Sequence, residues 1–85
     1  MSEPRAVAEK RLLMRSMRRG MKEMDLILTP FSRQALAGMS ESELAGYDRL
    51  LSENDQELYT WVTGQVAPPP EFQPLIEKSR SSVNA

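Results

Sequence analysis

The sequence predicts an all-α fold, a compact bundle of four to five short helices forming one domain over residues 1–85. Three observations carry this. Apolar residues recur at helical spacing in five segments, and none alternates as a strand would. Recognisable start and stop residues bracket those segments. The chain has only 85 residues, which leaves room for one modest core.

The first helix is expected over Ala6–Arg18, a run of good helix formers. Val7, Leu13 and Met17 are its inward candidates, and Gly20 is expected to end it in a left-handed cap. The second spans about Met21–Leu36. Met21, Met24, Leu28 and Phe31 repeat at helical spacing beside Ile27, with Glu23 and Asp25 in the first turn, where the helix dipole favours anions. Pro30 lies inside it and should kink or divide it, since proline removes a hydrogen bond and crowds the preceding turn. Gly38 stops it.

Ser40-Glu41-Ser42-Glu43 matches a capping box and opens the third helix, whose apolar face is Leu44, Tyr47, Leu50 and Leu51. Asn54 is placed to cap a fourth helix, with Leu58, Trp61 and Val62 inward and Gly64 at its end. Pro68-Pro69-Pro70 reads as a stiff spacer. Phe72, Leu75 and Ile76 then mark a last short helix that docks back. Residues 1–5 and 79–85 are expected to fray.

Composition excludes several function classes. The chain contains no cysteine and no histidine. That removes disulfides, Cys/His zinc sites, Ser-His and Cys-His nucleophile pairs, and imidazole acid–base chemistry. No apolar run approaches the ~18 residues of a membrane span. Arg and Lys interrupt every candidate signal-peptide core. The Arg-rich start resembles a mitochondrial presequence, but Glu3 and Glu9 are wrong for one. The expectation is a complete soluble intracellular protein.

Charge is strongly asymmetric. Residues 1–22 carry seven cations against two anions, and residues 23–60 carry eight anions against two cations. Either the basic part meets an acidic partner, or the opposite charges solvate one small domain. Arg11, Arg15, Arg18 and Lys22 would form a single basic stripe if helical geometry continued past Gly20. Such a stripe could grip nucleic-acid phosphate, although the acidic remainder and the lack of a base-reading helix argue against it. A membrane-surface role for this helix lacks interfacial aromatics.

The segment Arg18–Asp25 gathers two arginines, a glycine, a lysine and two carboxylates at one helix junction. A bare glycine ringed by charge suits the close approach of another protein's backbone. The ordinary alternative is a turn in which Arg19 and Glu23, four apart, form a surface ion pair worth ~0.5 kcal/mol.

The run Arg11-Leu12-Leu13-Met14-Arg15-Ser16-Met17-Arg18-Arg19-Gly20-Met21-Lys22-Glu23-Met24-Asp25 resembles the signature of the succinate dehydrogenase flavinylation factors, whose hallmark is Arg-Gly-x-x-Glu. A second block, Asp55-Gln56-Glu57-Leu58-Tyr59-Thr60-Trp61, is similar to that family's Asp-x-acidic-Leu-aromatic-x-Trp stretch. The likeness covers roughly residues 5–66. Met14 stands where an aromatic is common and Met24 where leucine is common, both keeping bulk and apolarity.

The resemblance implies a five-helix assembly factor that is not itself an enzyme. Its implied partner is the flavoprotein subunit of succinate dehydrogenase, and in bacteria that of fumarate reductase. On that subunit it would promote the covalent bond between a partner histidine and FAD, holding no FAD stably itself. Arg19, Gly20 and Glu23 would lie against the partner, with Asp25 as contact or support. Arg11, Arg15 and Arg18 would be peripheral docking charges, assigned from the basic stripe. The implied location is the bacterial cytoplasm, or the mitochondrial matrix in a eukaryote.

Overall fold

A computed structural model describes residues 3–84, and the side chains of residues 3–81. It contains five α-helices: α1 Arg5–Ser16, α2 Lys22–Ala35, α3 Glu41–Leu51, α4 Asp55–Val62 and α5 Gln73–Asn84. Short 3-10 turns at Leu36–Gly38 and Pro70–Phe72 complete the regular structure, and no strand occurs among the described residues. The expected all-α bundle is therefore the observed fold. Of the ends expected to fray, residues 1, 2 and 85 lie outside the described residues.

The five apolar faces close on one core. α2 packs against α1, α4 and α5, while α3 closes on α1 and on the Pro70–Phe72 turn. Met24, Leu28 and Phe31 of α2 meet Leu44, Tyr47, Leu50 and Leu51 of α3, Leu58, Trp61 and Val62 of α4, and Phe72, Leu75 and Ile76. Phe31 and Tyr47 stack edge to face at 5.6 Å, and Trp61 lies 5.9 Å from Phe72. Aromatic contacts of this kind add to the area term.

Local signals set most helix ends. Ser40 and Glu43 form the full reciprocal capping box: Glu43 N donates to Ser40 Oγ at 3.1 Å, and Ser40 N to Glu43 Oε1 at 2.9 Å. Asn54 Oδ1 accepts from Gln56 N at 2.8 Å. Gly64 carries the positive φ of 82° that follows α4. Arg80 of α5 reaches back to the Val62 and Trp61 carbonyls, where a cation suits the helix dipole.

Three details differ from the sequence reading. α2 continues through Pro30 undivided. Leu26, whose carbonyl loses the Pro30 donor, and Pro30 itself are both exposed, so water can serve that carbonyl. In α1 the fully buried residues are Leu12 and Ser16, with Leu13 partly buried against the core as expected, whereas Val7 is 52% exposed and Met17 lies beyond the helix. The left-handed residue after α1 is Arg18 (φ 54°), not Gly20. A carboxylate holds it there, since Arg18 N donates to Asp25 Oδ1 at 3.0 Å.

Candidate functional site

The junction between α1 and α2 is the region the sequence singled out. Five residues, Met17–Met21, separate the helices. At its last residue, Ser16, α1 turns a hydroxyl into the core, which donates to the Leu12 carbonyl at 2.8 Å and meets Tyr47 Oη at 2.6 Å. Both side chains are fully buried, and burial pushes the Tyr47 phenol up to about 12. The break also dissolves the expected stripe, because Arg18 and Lys22 no longer continue the helical register of Arg11 and Arg15.

Arg19 sits at the centre of the junction. Its Nε donates to Asp55 Oδ1 at 2.7 Å, its Nη1 to the Arg15 and Leu51 carbonyls at 3.0 Å each, and its Nη2 to the Glu53 carbonyl at 3.3 Å. One guanidinium thus serves the carboxyl ends of α1 and α3 and the amino end of α4. A cation at helix carboxyl ends and an anion at an amino end are each favoured by the helix dipole. The pair is mostly buried, with Arg19 11% and Asp55 17% exposed. The i,i+4 pairing of Arg19 with Glu23 is not formed, since the two residues do not share a continuous helix.

Gly20 is exposed, and its N–H donates to Asp55 Oδ2 at 2.9 Å. A Cβ added there would lie 3.4 Å from that same oxygen, and the backbone is not left-handed. A single carbon therefore fits, while a branched or long side chain meets the carboxylate or covers the open backbone. Asp25 accepts from Thr29 Oγ1 at 3.0 Å as well as from Arg18 N, so it braces the turn. Glu23 is exposed and has no hydrogen bond or ion pair among the described residues. Leu26, one turn further along α2, is 65% exposed.

Arg11 and Arg15 are half-exposed, yet both are paired within the fold. Arg11 pairs with Glu3 at 2.9 Å and Asp48 at 3.0 Å; Arg15 pairs with Asp48 and donates to its carbonyl at 3.1 Å. The Arg11 guanidinium, followed by Arg15, holds the Asp48 carboxyl below its ordinary range. These contacts tie α1 to α3. Of the seven cations in residues 1–22, Lys10, Arg18 and Lys22 have no ion pair among the described residues. Much of the charge asymmetry is thus neutralised within the fold.

The structure therefore brings Arg19, Gly20, Glu23 and Asp25 to one edge, and engages Arg11 and Arg15 elsewhere on α1. Sequence reasoning missed Asp55 and Asp48 as partners of these groups. Asp55 opened the second block, so a pairing between the two blocks was its signal; nothing local pointed to Asp48.

These features define a small helical protein with a hydrogen-bonded, glycine-centred charged edge. The chain belongs to the family described as flavinator of succinate dehydrogenase, whose model matches residues 10–83. It is similar to the FAD assembly factor SdhE of Legionella pneumophila (strain Lens), 36% identical over 73 residues, which cover 86% of this chain and 92% of that protein. It is also similar to the mitochondrial succinate dehydrogenase assembly factor 2 of Drosophila grimshawi, 39% identical over 74 residues, and of Danio rerio, 44% identical over 69. Those matches cover 85% and 79% of this chain, and 50% and 44% of the relatives. The chain thus spans about half the length of the mitochondrial relatives. Among the described residues, no helix is long and apolar enough to cross a membrane.

Proposed function

We propose that this chain is an assembly factor that binds the flavoprotein subunit of succinate dehydrogenase, and in bacteria that of fumarate reductase, and promotes covalent attachment of FAD there. The observation that carries the reading is the Gly20–Glu23 edge. Asp55 anchors its backbone, and Glu23 is left exposed and unpaired among the described residues. Family membership supports the same reading.

Attachment of FAD through an imidazole requires a nucleophile that this chain lacks, because it contains no histidine. The bond-forming group accordingly belongs to the partner. The factor acts by binding best to the partner conformation that holds FAD against that histidine, which is catalysis of assembly by orientation and differential binding. It needs no stably bound FAD of its own. Gly20 admits a partner backbone, and Glu23 offers a carboxylate to a donor on the partner. Arg18 and Lys22, without ion pairs among the described residues, add cations beside them. The compartment is the one in which the subunit acquires FAD, the bacterial cytoplasm or the mitochondrial matrix.

In-gel flavin fluorescence of the flavoprotein subunit, with and without this chain, tests the proposal. Covalent flavin should fall sharply without it. It should fall again when Glu23→Ala replaces the wild type, with the variant's melting temperature lowered by no more than a few degrees, because the Glu23 side chain makes no hydrogen bond or ion pair among the described residues and loses only its favourable place at the start of α2. Normal flavinylation with Glu23→Ala would remove the site assignment; normal flavinylation without the chain would remove the function.

A further inference from the structure

We propose that Arg19 contributes to docking from inside the fold, and that Asp55 is the positioning residue through which it presents Gly20 and Glu23. This rests on the docking reading above. Arg19 is the motif residue whose charge invites a direct contact with the partner. Yet its guanidinium is 11% exposed and already serves four acceptors: the Asp55 carboxylate and the carbonyls of Arg15, Leu51 and Glu53. Reaching outward would uncover the carboxyl ends of α1 and α3 together.

Asp55 divides its two oxygens. Oδ1 accepts from Arg19 Nε at 2.7 Å and Oδ2 from Gly20 N at 2.9 Å. The same carboxylate therefore neutralises the buried cation and fixes the peptide plane of the exposed glycine. Its own place is set by the start of α4, where Asn54 caps the helix and Leu58 and Trp61 lock the helix into the core. The result is a chain of contacts from the α4 core to the exposed edge. A preorganised edge binds more tightly than a mobile one, because less order is created on association.

Asp55→Asn keeps the shape, removes the charge and leaves one acceptor for two donors. In the free protein it should speed hydrogen exchange of the Gly20 amide. It should also weaken binding to the FAD-loaded, non-covalent flavoprotein subunit about tenfold, the order expected for one charge-assisted hydrogen bond. Arg19→Lys should weaken binding similarly, and the double variant should add little, since both changes release one element. Ser40→Ala, which breaks the capping box at the far end of α3, serves as a control that lowers stability without touching the edge, and its affinity should stay at the wild-type value.

Affinities are compared between variants that keep the wild-type circular dichroism. If Arg19→Lys fails to fold, Asp55→Asn alone decides through exchange and affinity. Unchanged Gly20 exchange in Asp55→Asn, or faster exchange with unchanged affinity, overturns the inference. Losses that add in the double variant overturn it too, because Arg19 would then touch the partner. A wild-type chain that does not bind the subunit refutes the docking reading and takes the inference with it. That outcome is separate, because Gly20 exchange is measured without the partner.

Discussion

Removing Ser16 should destabilise the protein more than removing the Tyr47 hydroxyl, although the two groups share one hydrogen bond. Ser16 has a single O–H, which donates to the Leu12 carbonyl at 2.8 Å. Tyr47 must then be the donor across the 2.6 Å contact between the hydroxyls. In Tyr47→Phe, Ser16 keeps its Leu12 partner, so the loss is one ordinary hydrogen bond, about 1 kcal/mol. In Ser16→Ala, the phenol O–H remains at a fully buried site without an acceptor, costing about 1–3 kcal/mol. Alanine's better helix propensity returns no more than about 0.5 kcal/mol. The double variant should cost less than the two singles combined.

Urea denaturation of the four proteins measures these differences, and 1 kcal/mol corresponds to roughly 4–8 °C in melting temperature for a domain of this size. Tyr47→Phe costing as much as Ser16→Ala, or strictly additive losses, would refute the proton assignment and the pairing. Alkali provides a second arm. Tyr47 is pushed up to about 12 by burial, against roughly 10 in the unfolded chain. The unfolded state therefore releases its proton first as pH rises. Stability is complete below about pH 10 and is lost as pH rises toward 12, by an amount on the order of 2–3 kcal/mol. Tyr47→Phe should not show this loss.

Ser40→Ala should cost about 1 kcal/mol by breaking the capping box at the start of α3, read as a lower melting temperature with unchanged helicity. The same box predicts acid sensitivity: Glu43 is held down to about 2, first by the Lys78 ammonium and then by Ser40, against an ordinary value of 4.5. Its contribution is present above about pH 4.5 and is lost as pH falls toward 2, so the melting temperature of Glu43→Gln should fall less steeply over that range. Gly64→Ala should destabilise by about 1 kcal/mol in thermal melts, because φ is 82° there and an L side chain is strained in that region. A neutral Gly64→Ala would mean that the turn after α4 readily adopts another backbone.

The helices were legible wherever one turn of chain carried its own instruction. Ser40 and Glu43 cap α3, Asn54 caps α4, and the apolar spacing of Met24, Leu28 and Phe31 marks the buried face of α2. These signals act over three to seven residues, within the reach of hydrogen-bond geometry and helical periodicity. The two sequence blocks were legible as well, and with them the family. The end of α1 was not. Its last residue, Ser16, is buried against Tyr47, 31 positions away, a contact no local signal announces. The turn conformation was likewise set by Asp25 pulling on Arg18, which left Gly20 free of the left-handed role.

What the sequence determined alone is an all-α chain without imidazole or thiol, carrying an Arg-Gly-x-x-Glu segment at a helix junction. Only the tertiary structure decided how that segment is used. Asp48 and Asp55 claim Arg11, Arg15 and Arg19 across 33 to 37 positions. A formal charge pattern does not say which ions will find each other once α3 and α4 pack beside α1. For Arg19 burial then made the choice, because a guanidinium taken out of water needs a carboxylate and carbonyls to meet it. That left Gly20 and Glu23, the two motif residues without buried side chains, facing outward.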